Sequence, residues 1–347
     1  HDWVDADCTT PKTCSKCDET EGEALGHTYG AQTDCTVAVN CSVCNAEMIP
    51  AKEHTETEPV EEKGYLVVHC AECGAEISKE LIPATSTVTL WGVEVTIDND
   101  DATEDIPAAR YWKNGETAAD EPVASDENDW NYSFTIVDGV PTVTLKNVNY
   151  NYGVAVSAFL AATLSGDDKL ELKYEGDNTV KLATGTTTSG TSPKKRTLQL
   201  VEITCTSSDA SFNITGAENA ELNVSTAYAT YVINVPYATL NVKGGTLNYT
   251  RTGKHEGFIN CTNGRLNIDD CTINCESITA GSAVYPVIVG GYSTIITDAK
   301  INIDTVGSGI LGAAAFNTAH TVAQHEQYAR DVIITNSNIT INAQSVS

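Results

Sequence analysis

Large apolar side chains are scarce in this chain. Met occurs once, aromatic residues make up 7% of the 347 positions, and no apolar run approaches the ~18 residues of a membrane-spanning helix. Membrane insertion of this segment is therefore not expected. Basic residues are scarce as well. Lys and Arg total 20 against 47 Asp and Glu, a net charge of −27. The deficit is general: residues 1–84 hold 5 basic and 17 acidic residues, and the remainder 15 and 30. Phosphate-binding surfaces need clustered Lys and Arg, and the only cluster is Lys194-Lys195-Arg196. Nucleic acid and anionic membranes are thus poor partners, and the acidity reads as solubility outside the cell. The chain begins at His1 rather than Met and stops at Ser347, directly after a repeat copy. Both ends read as cuts inside a longer protein, so a missing leader or anchor carries no weight.

What the chain does have is repetition. TLNVKGGTLNY (239–249) returns as RLNIDDCTINC (265–275), TIITDAKINID (294–304) and VIITNSNITIN (332–342). Each copy is two short runs of alternating apolar and polar residues around a small residue or turn, the pattern of strand, turn, strand. Leu247, Ile273, Ile301 and Ile339 follow one another at steps of 26, 28 and 38 residues, where one coil of a β-solenoid needs about 20–30 plus insertions. A third inward strand joins the repeat if Ile203/Cys205, Ile233/Val235, Ile259/Cys261 and Val287/Val289 align one coil apart. Three faces per coil make a three-sided parallel β-helix. The expected fold class is all-β, a parallel β-helix over 85–347 preceded by small zinc-ribbon-like tandem repeats, with residues 85–160 as N-terminal cap and first coils.

That register carries further expectations. Cys205, Cys261 and Cys275 fall on inward positions and read as buried thiols acting as small hydrophobes. Cys271 falls at a turn, and no disulfide is expected in the solenoid except that a Cys271–Cys275 pair stays open. Asn248, Asn274, Asn302 and Thr340 should stack outward, as should Asn234 and Asn260. Val88 to Ile97 alternates as a strand, and 98–131 reads as a long acidic loop. Asp98, Asp100, Asp101, Asp126, Glu127 and Asp129 lie there and could hold Ca2+, although no known loop spacing is present. Trp91, Tyr111, Trp112, Trp130 and Tyr132 cluster in the same region, as a cap on the first coil or as a platform for sugars. Residues 183–196 read as an irregular loop, and 310–331 as an insertion with helical character after Asn317.

Eight of the twelve cysteines lie in residues 8–73. Cys8, Cys14, Cys17 and His27 repeat at identical spacing as Cys35, Cys41, Cys44 and His54. Three thiolates and one imidazole form a closed tetrahedral set, the usual structural zinc site. The direct reading gives one site to each repeat, 1–27 and 28–54, and about two Zn2+ per chain. A third repeat, 55–84, keeps Cys70 and Cys73 but lacks the leading cysteine, and Thr87 stands where the histidine should be. His1 reads as the last ligand of a preceding unit, and Cys70 and Cys73 are left with His69 or an already assigned His54. Disulfides are the rival reading, since units of about 30 residues need a staple.

His1-x-Trp3, Cys8-x5-Cys14-x2-Cys17 and Leu25-Gly26-His27 resemble tandem repeats of large secreted or wall-attached proteins of anaerobic Gram-positive gut bacteria. LWGVEVTIDND and PTVTLKNVNYN resemble the start of β-helical bacterial proteins labelled carbohydrate-binding, and the solenoid resembles the right-handed pectin-lyase-like superfamily. The resemblance implies an extracellular, cell-surface location and an adhesive or structural role, with a glycan, a host protein or the chain itself as partner. Polysaccharide lyases and hydrolases share that superfamily, so an enzyme is the first alternative and a filament subunit the second. No catalytic set stands out. Asp269, Asp270 and Asp298 fall at turns, and His255, His320 and His325 lie on loops without an evident partner.

Overall fold

The computed structural model describes residues 1–82, 84–99, 108–118, 120–152, 158–182, 185–187, 194–196, 199–205, 207, 209–226, 231–251, 257–277, 287–306, 311–313 and 331–344. The chain divides into two compact units, His1–Ile82 and Pro83–Ser347. Among the described residues every regular element is a β-strand, and no helix is long and apolar enough to cross a membrane.

The second unit is a three-sided parallel β-helix. One coil runs Tyr231–Asn234, Thr239–Lys243, Thr246–Arg251, one strand in each of three sheets of eight, ten and seven strands. Alternation drives the packing. Leu240, Val242, Leu247 and Tyr249 are buried while Asn241 and Asn248 between them are half-buried. Parallel pairing then stacks like on like: Leu222, Leu247, Ile273, Ile301 and Ile339 form one inward column. Each such side chain fully removed from water contributes about 1.5–3 kcal/mol.

The corner between the ten- and seven-stranded sheets is two residues long in the regular coils. It holds a backbone position with positive φ: Asn147 (53°), Gly176 (65°), Gly244 (67°), Asp270 (46°), Asp298 (50°) and Asn336 (52°). Glycine enters that region without penalty, and Asn and Asp tolerate it better than other side chains. Asp270 and Asp298 are thus explained by the turn. At Gly244 space decides too, because a Cβ there would lie 2.4 Å from the Gly216 carbonyl oxygen.

The amide ladders form and are longer than expected. Asn302 Nδ2 donates to Asn274, Asn274 to Asn248 and Asn248 to Asn223, at 2.7–2.8 Å. Thr340 continues that row in register, and Asn260 donates to Asn234. A ladder not read from the sequence, Asn267 to Asn241 to Asn213, runs along the ten-stranded sheet at 2.7 Å.

Several readings are corrected. Residues 88–97 are not one strand: Thr85–Leu90 and Val93–Asp98 pair antiparallel about a turn at Trp91 and Gly92, both with positive φ. The 98–131 loop contains strands Ala109–Lys113 and Val123–Ser125, which add antiparallel to Tyr132–Val137. Asp126 accepts from the Asn128 N–H and Asp129 pairs with Lys113, while Asp100 and Asp101 lie outside the described residues. Gly185–Thr187 and Lys194–Arg196 pair as a short hairpin within 183–196. The helical reading of 310–331 also falls outside, apart from the strand Leu311–Ala313.

In the eight-stranded sheet the register differs from expectation. Ile233 stands beside Val201, not Ile203, and Ile259 beside Ile288, not Val287. Val201, Ile203 and Cys205 of QLVEITC share one phase, so alternation alone does not choose between registers two residues apart. Cys205 consequently lies beside Leu164, half-buried, with its thiol donating to the Ser207 carbonyl. Cys261, Cys271 and Cys275 are buried, and burial raises all three thiols, the first two to about 12. All twelve cysteines are free.

Aromatic side chains close the first coils. Trp91 packs edge-on against Trp112 (5.2 Å between centroids) and Tyr132 (5.6 Å), with Phe159 behind. Tyr111 and Trp130 sit apart as a second pair at 6.0 Å, with the Lys146 ammonium over Trp130. The cap reading thus accounts for three of the five residues.

One core position is chemically out of place. Thr294 continues the inward column Phe212, Leu240, Leu266 and is buried, yet its hydroxyl has no partner among the described residues. Thr294→Val keeps the shape and removes the unpaired group, so it should raise stability by about 1–2 kcal/mol, read from the midpoint of chemical denaturation.

Candidate metal centres

The first unit has almost no apolar core. Its buried hydrophobic residues are Cys8, Cys14, Cys35, Cys41, Cys70 and a single aliphatic side chain, Val67. Leu25, Val37 and Val43 are more than half exposed. Something other than apolar burial must hold 82 residues together, and the cysteines are where the chain converges.

The backbone builds the same knuckle three times. In the first, the Cys14 N–H reaches Glu19 O and the Asp18 N–H returns to Cys14 O; the Cys41–Ala46 and Cys70–Ala75 segments repeat this at 2.8–3.0 Å. Asp18, Asn45 and Gly74 take the required positive φ. Each knuckle is pinned to the residue after a histidine. The Ser15 N–H bonds Asp2 O, Ser42 bonds Thr28 O and Ala71 bonds Thr55 O. The main chain therefore pairs His1 with the Cys14 knuckle, His27 with Cys41 and His54 with Cys70.

The donor atoms confirm this staggered arrangement and overturn the sequence-based grouping. Cys8, His27, Cys41 and Cys44 form one cluster, and Cys35, His54, Cys70 and Cys73 form a second, all donor atoms within 4.8 Å of one another. Cys14 and Cys17 do not join Cys8 and His27; they gather with His1. Each complete cluster takes its leading cysteine and histidine from one repeat and its knuckle from the next. Cys8 Sγ lies 3.8 Å from Cys41 Sγ, and Cys35 Sγ lies 3.5 Å from both Cys70 and Cys73. His27 Nδ1 is 3.4 Å from Cys44, and His54 Nδ1 is 3.1 Å from Cys35. Ligands at ~2.3 Å around a tetrahedral ion sit about 3.8 Å apart, so the donor set fits that geometry. His69 is no ligand; its Nε2 meets Glu62 at 2.9 Å.

Electrostatics within each cluster are graded. The N–H groups of Cys44 and Val43 hold the Cys41 thiol down to about 5, and those of Cys73 and Glu72 do the same for Cys70. Burial first, and neighbouring thiols second, push Cys8 and Cys35 up to about 12. Each cluster thus combines a thiol lowered by main-chain N–H groups with one raised by burial. The Asp34 carboxylate stands 4.0 Å from His54 Nε2, on the nitrogen where metal-bound histidines commonly have a carboxylate but beyond hydrogen-bond distance.

The stagger also explains the incomplete third repeat. Its leading cysteine and histidine would serve a fourth knuckle, so a terminal repeat has no use for them. The warning in the sequence is the set of orphans: grouping within repeats isolates His1, Cys70 and Cys73, whereas grouping across repeats gives each of them partners, with His1, Cys14 and Cys17 as one incomplete set.

Metal stoichiometry separates the two groupings. Cys35→Ser combined with Cys70→Ser should cost one bound metal ion, because both belong to one cluster. Cys35→Ser combined with Cys41→Ser should cost two. Elemental analysis of the purified variants reads this directly, and loss of a single ion in Cys35→Ser combined with Cys41→Ser would restore grouping within repeats.

No family model, no curated protein and no solved structure matches this chain.

Proposed function

We propose that this chain is part of a large extracellular, cell-surface bacterial protein with an adhesive or structural role. Two Zn2+ ions staple consecutive N-terminal repeats, and the β-helix presents a stiff polar surface to a glycan, a host protein or another copy of itself. The observation that carries the reading is the unbroken amide ladders on the outer faces, Asn223 to Asn302 and Asn213 to Asn267. They give ranks of regularly spaced donors and acceptors, suited to hydroxyl-rich polymers. Closed sites of three thiolates and an imidazole have no open position and supply folding energy rather than chemistry. Unbridged thiols fit the anaerobic setting that the repeat resemblance implies.

One observation favours a second reading, a polysaccharide lyase or hydrolase. Glu276 and Asp304 are register partners on the outer face of the seven-stranded sheet, in a shallow groove with Asn274, Asn302 and Asn342. Carboxyl groups about 5 Å apart serve retaining glycosidases. Incubation of the full chain with neutral and uronic-acid polysaccharides discriminates. Retention without turnover, weakened by Asn248→Ala and Asn274→Ala, supports the adhesive reading. Unsaturated products or new reducing ends, lost in Glu276→Gln, would replace it with the enzyme.

A further inference from the structure

The cluster of His1, Cys14 and Cys17 belongs to neither complete centre. Its donor atoms lie within 4.8 Å of one another, and His1 Nδ1 is 3.2 Å from Cys17 Sγ. The scaffold is that of the other two: the same knuckle hydrogen bonds, the same left-handed residue at Asp18 and the same pin from Ser15 to the residue after the histidine. Two contacts fix the imidazole. Trp3 stacks on it at 5.1 Å and 28°, and Glu19 faces its Nε2 at 3.4 Å. That leaves Nδ1 aimed at the thiols, with a carboxylate on the far nitrogen as His54 has Asp34. What the cluster lacks is the counterpart of Cys8 and Cys35. No fourth His, Cys, Asp or Glu donor among the described residues completes it.

We infer that His1, Cys14 and Cys17 form a third metal site, with three protein ligands and one coordination position open to a thiolate from outside these 347 residues. Open positions beside three protein ligands are where exchangeable ligands bind zinc. In the two complete sites a cysteine fills the equivalent position, so the matching donor is a thiolate. The site is then a metal-dependent joint, at which a cysteine-bearing segment supplies the fourth ligand. The inference rests on the metal reading of the complete centres, and the test separates the two.

Cobalt substitution of the full chain provides it, with Co2+ as the metal and 2-mercaptoethanol as the thiolate probe. The expected stoichiometry is three ions per chain, falling to two in Cys14→Ser, in Cys17→Ser and in His1→Ala. With one fewer ligand, the third ion should bind more weakly by more than the ~10–100-fold that loss of even an outer-shell partner costs, and leave first under chelator. Added 2-mercaptoethanol should raise the thiolate-to-cobalt charge-transfer absorption of the wild type by the equivalent of one bond, and leave Cys14→Ser unchanged. Two ions in the wild type, insensitive to Cys14→Ser, would overturn the third site and leave the complete centres standing. Three ions with no response to the thiol would overturn the open position. No cobalt at all would remove the metal reading itself.

Discussion

Leu247→Asp should unfold the β-helix, whereas Asn248→Asp, one residue along the same strand, should be tolerated. Leu247 is fully buried between Leu222 and Ile273 in adjacent coils. The substitution removes about 2–5 kcal/mol of apolar packing and forces a carboxylate into a column with no cation or donor. Such a charge costs several kcal/mol more, or takes up a proton at similar expense. The sum rivals the whole stability of a typical domain, about 5–15 kcal/mol. Asn248 points outward, and an aspartate there loses the ladder hydrogen bond to Asn223 and a longer one to the exposed Glu221 carboxylate, each worth about 1 kcal/mol. Far-ultraviolet circular dichroism and denaturant titration of the two variants give the comparison. A larger loss in Asn248→Asp than in Leu247→Asp would mean that the inward and outward assignment is wrong by one residue.

Removing metal should unfold His1–Ile82 while Pro83–Ser347 keeps its structure. A structural Zn2+ contributes about 10–16 kcal/mol at neutral pH, and two complete centres draw on donors spread over residues 8–73. With Val67 as the one buried aliphatic side chain of that unit, no apolar core of ordinary size remains once the ions leave. The solenoid has a continuous column of buried Leu, Ile and Val and no such dependence. Limited proteolysis with and without a strong chelator makes the difference visible. Cuts confined to residues 1–82 are expected after chelation, reversed by adding Zn2+. A protease-resistant metal-free N-terminal unit would show that the cysteine clusters are not its staple.

The β-helix is legible in the chain because its physics is local and periodic. Strand alternation decides which side chains face inward, and parallel stacking copies that decision from coil to coil. Leu247, Ile273, Ile301 and Ile339 therefore declare their column by spacing and alternation alone, as do Asn248, Asn274 and Asn302. Legibility fails where the period does. Val201, Ile203 and Cys205 of QLVEITC share one phase, and loops of different length precede the strands of that sheet. Nothing local then chooses Val201 over Ile203, and alternation places Cys205 deeper than it lies. The turn at Trp91 and Gly92 escapes for a different reason: apolar alternation resumes two residues on, with Val88 and Leu90 inward before it and Val95 and Ile97 inward after it, and a change of phase by one residue reads equally as a bulge within one strand.

The metal ligands are all recognisable as residues, yet their partition is not. Cys8, His27, Cys35 and His54 repeat at one spacing, so grouping within or across repeats satisfies the same pattern. Spacing counts residues, while coordination depends on where the chain returns. Residue types and intervals suffice to specify sites of three thiolates and an imidazole, and a solenoid with three faces and a defined inside. That each cage is closed by the following repeat is a property of the folded chain alone. Hydrogen bonds from Ser42 to Thr28 and from Ala71 to Thr55 carry each knuckle to the histidine of the repeat before it, and no interval in the sequence encodes that return.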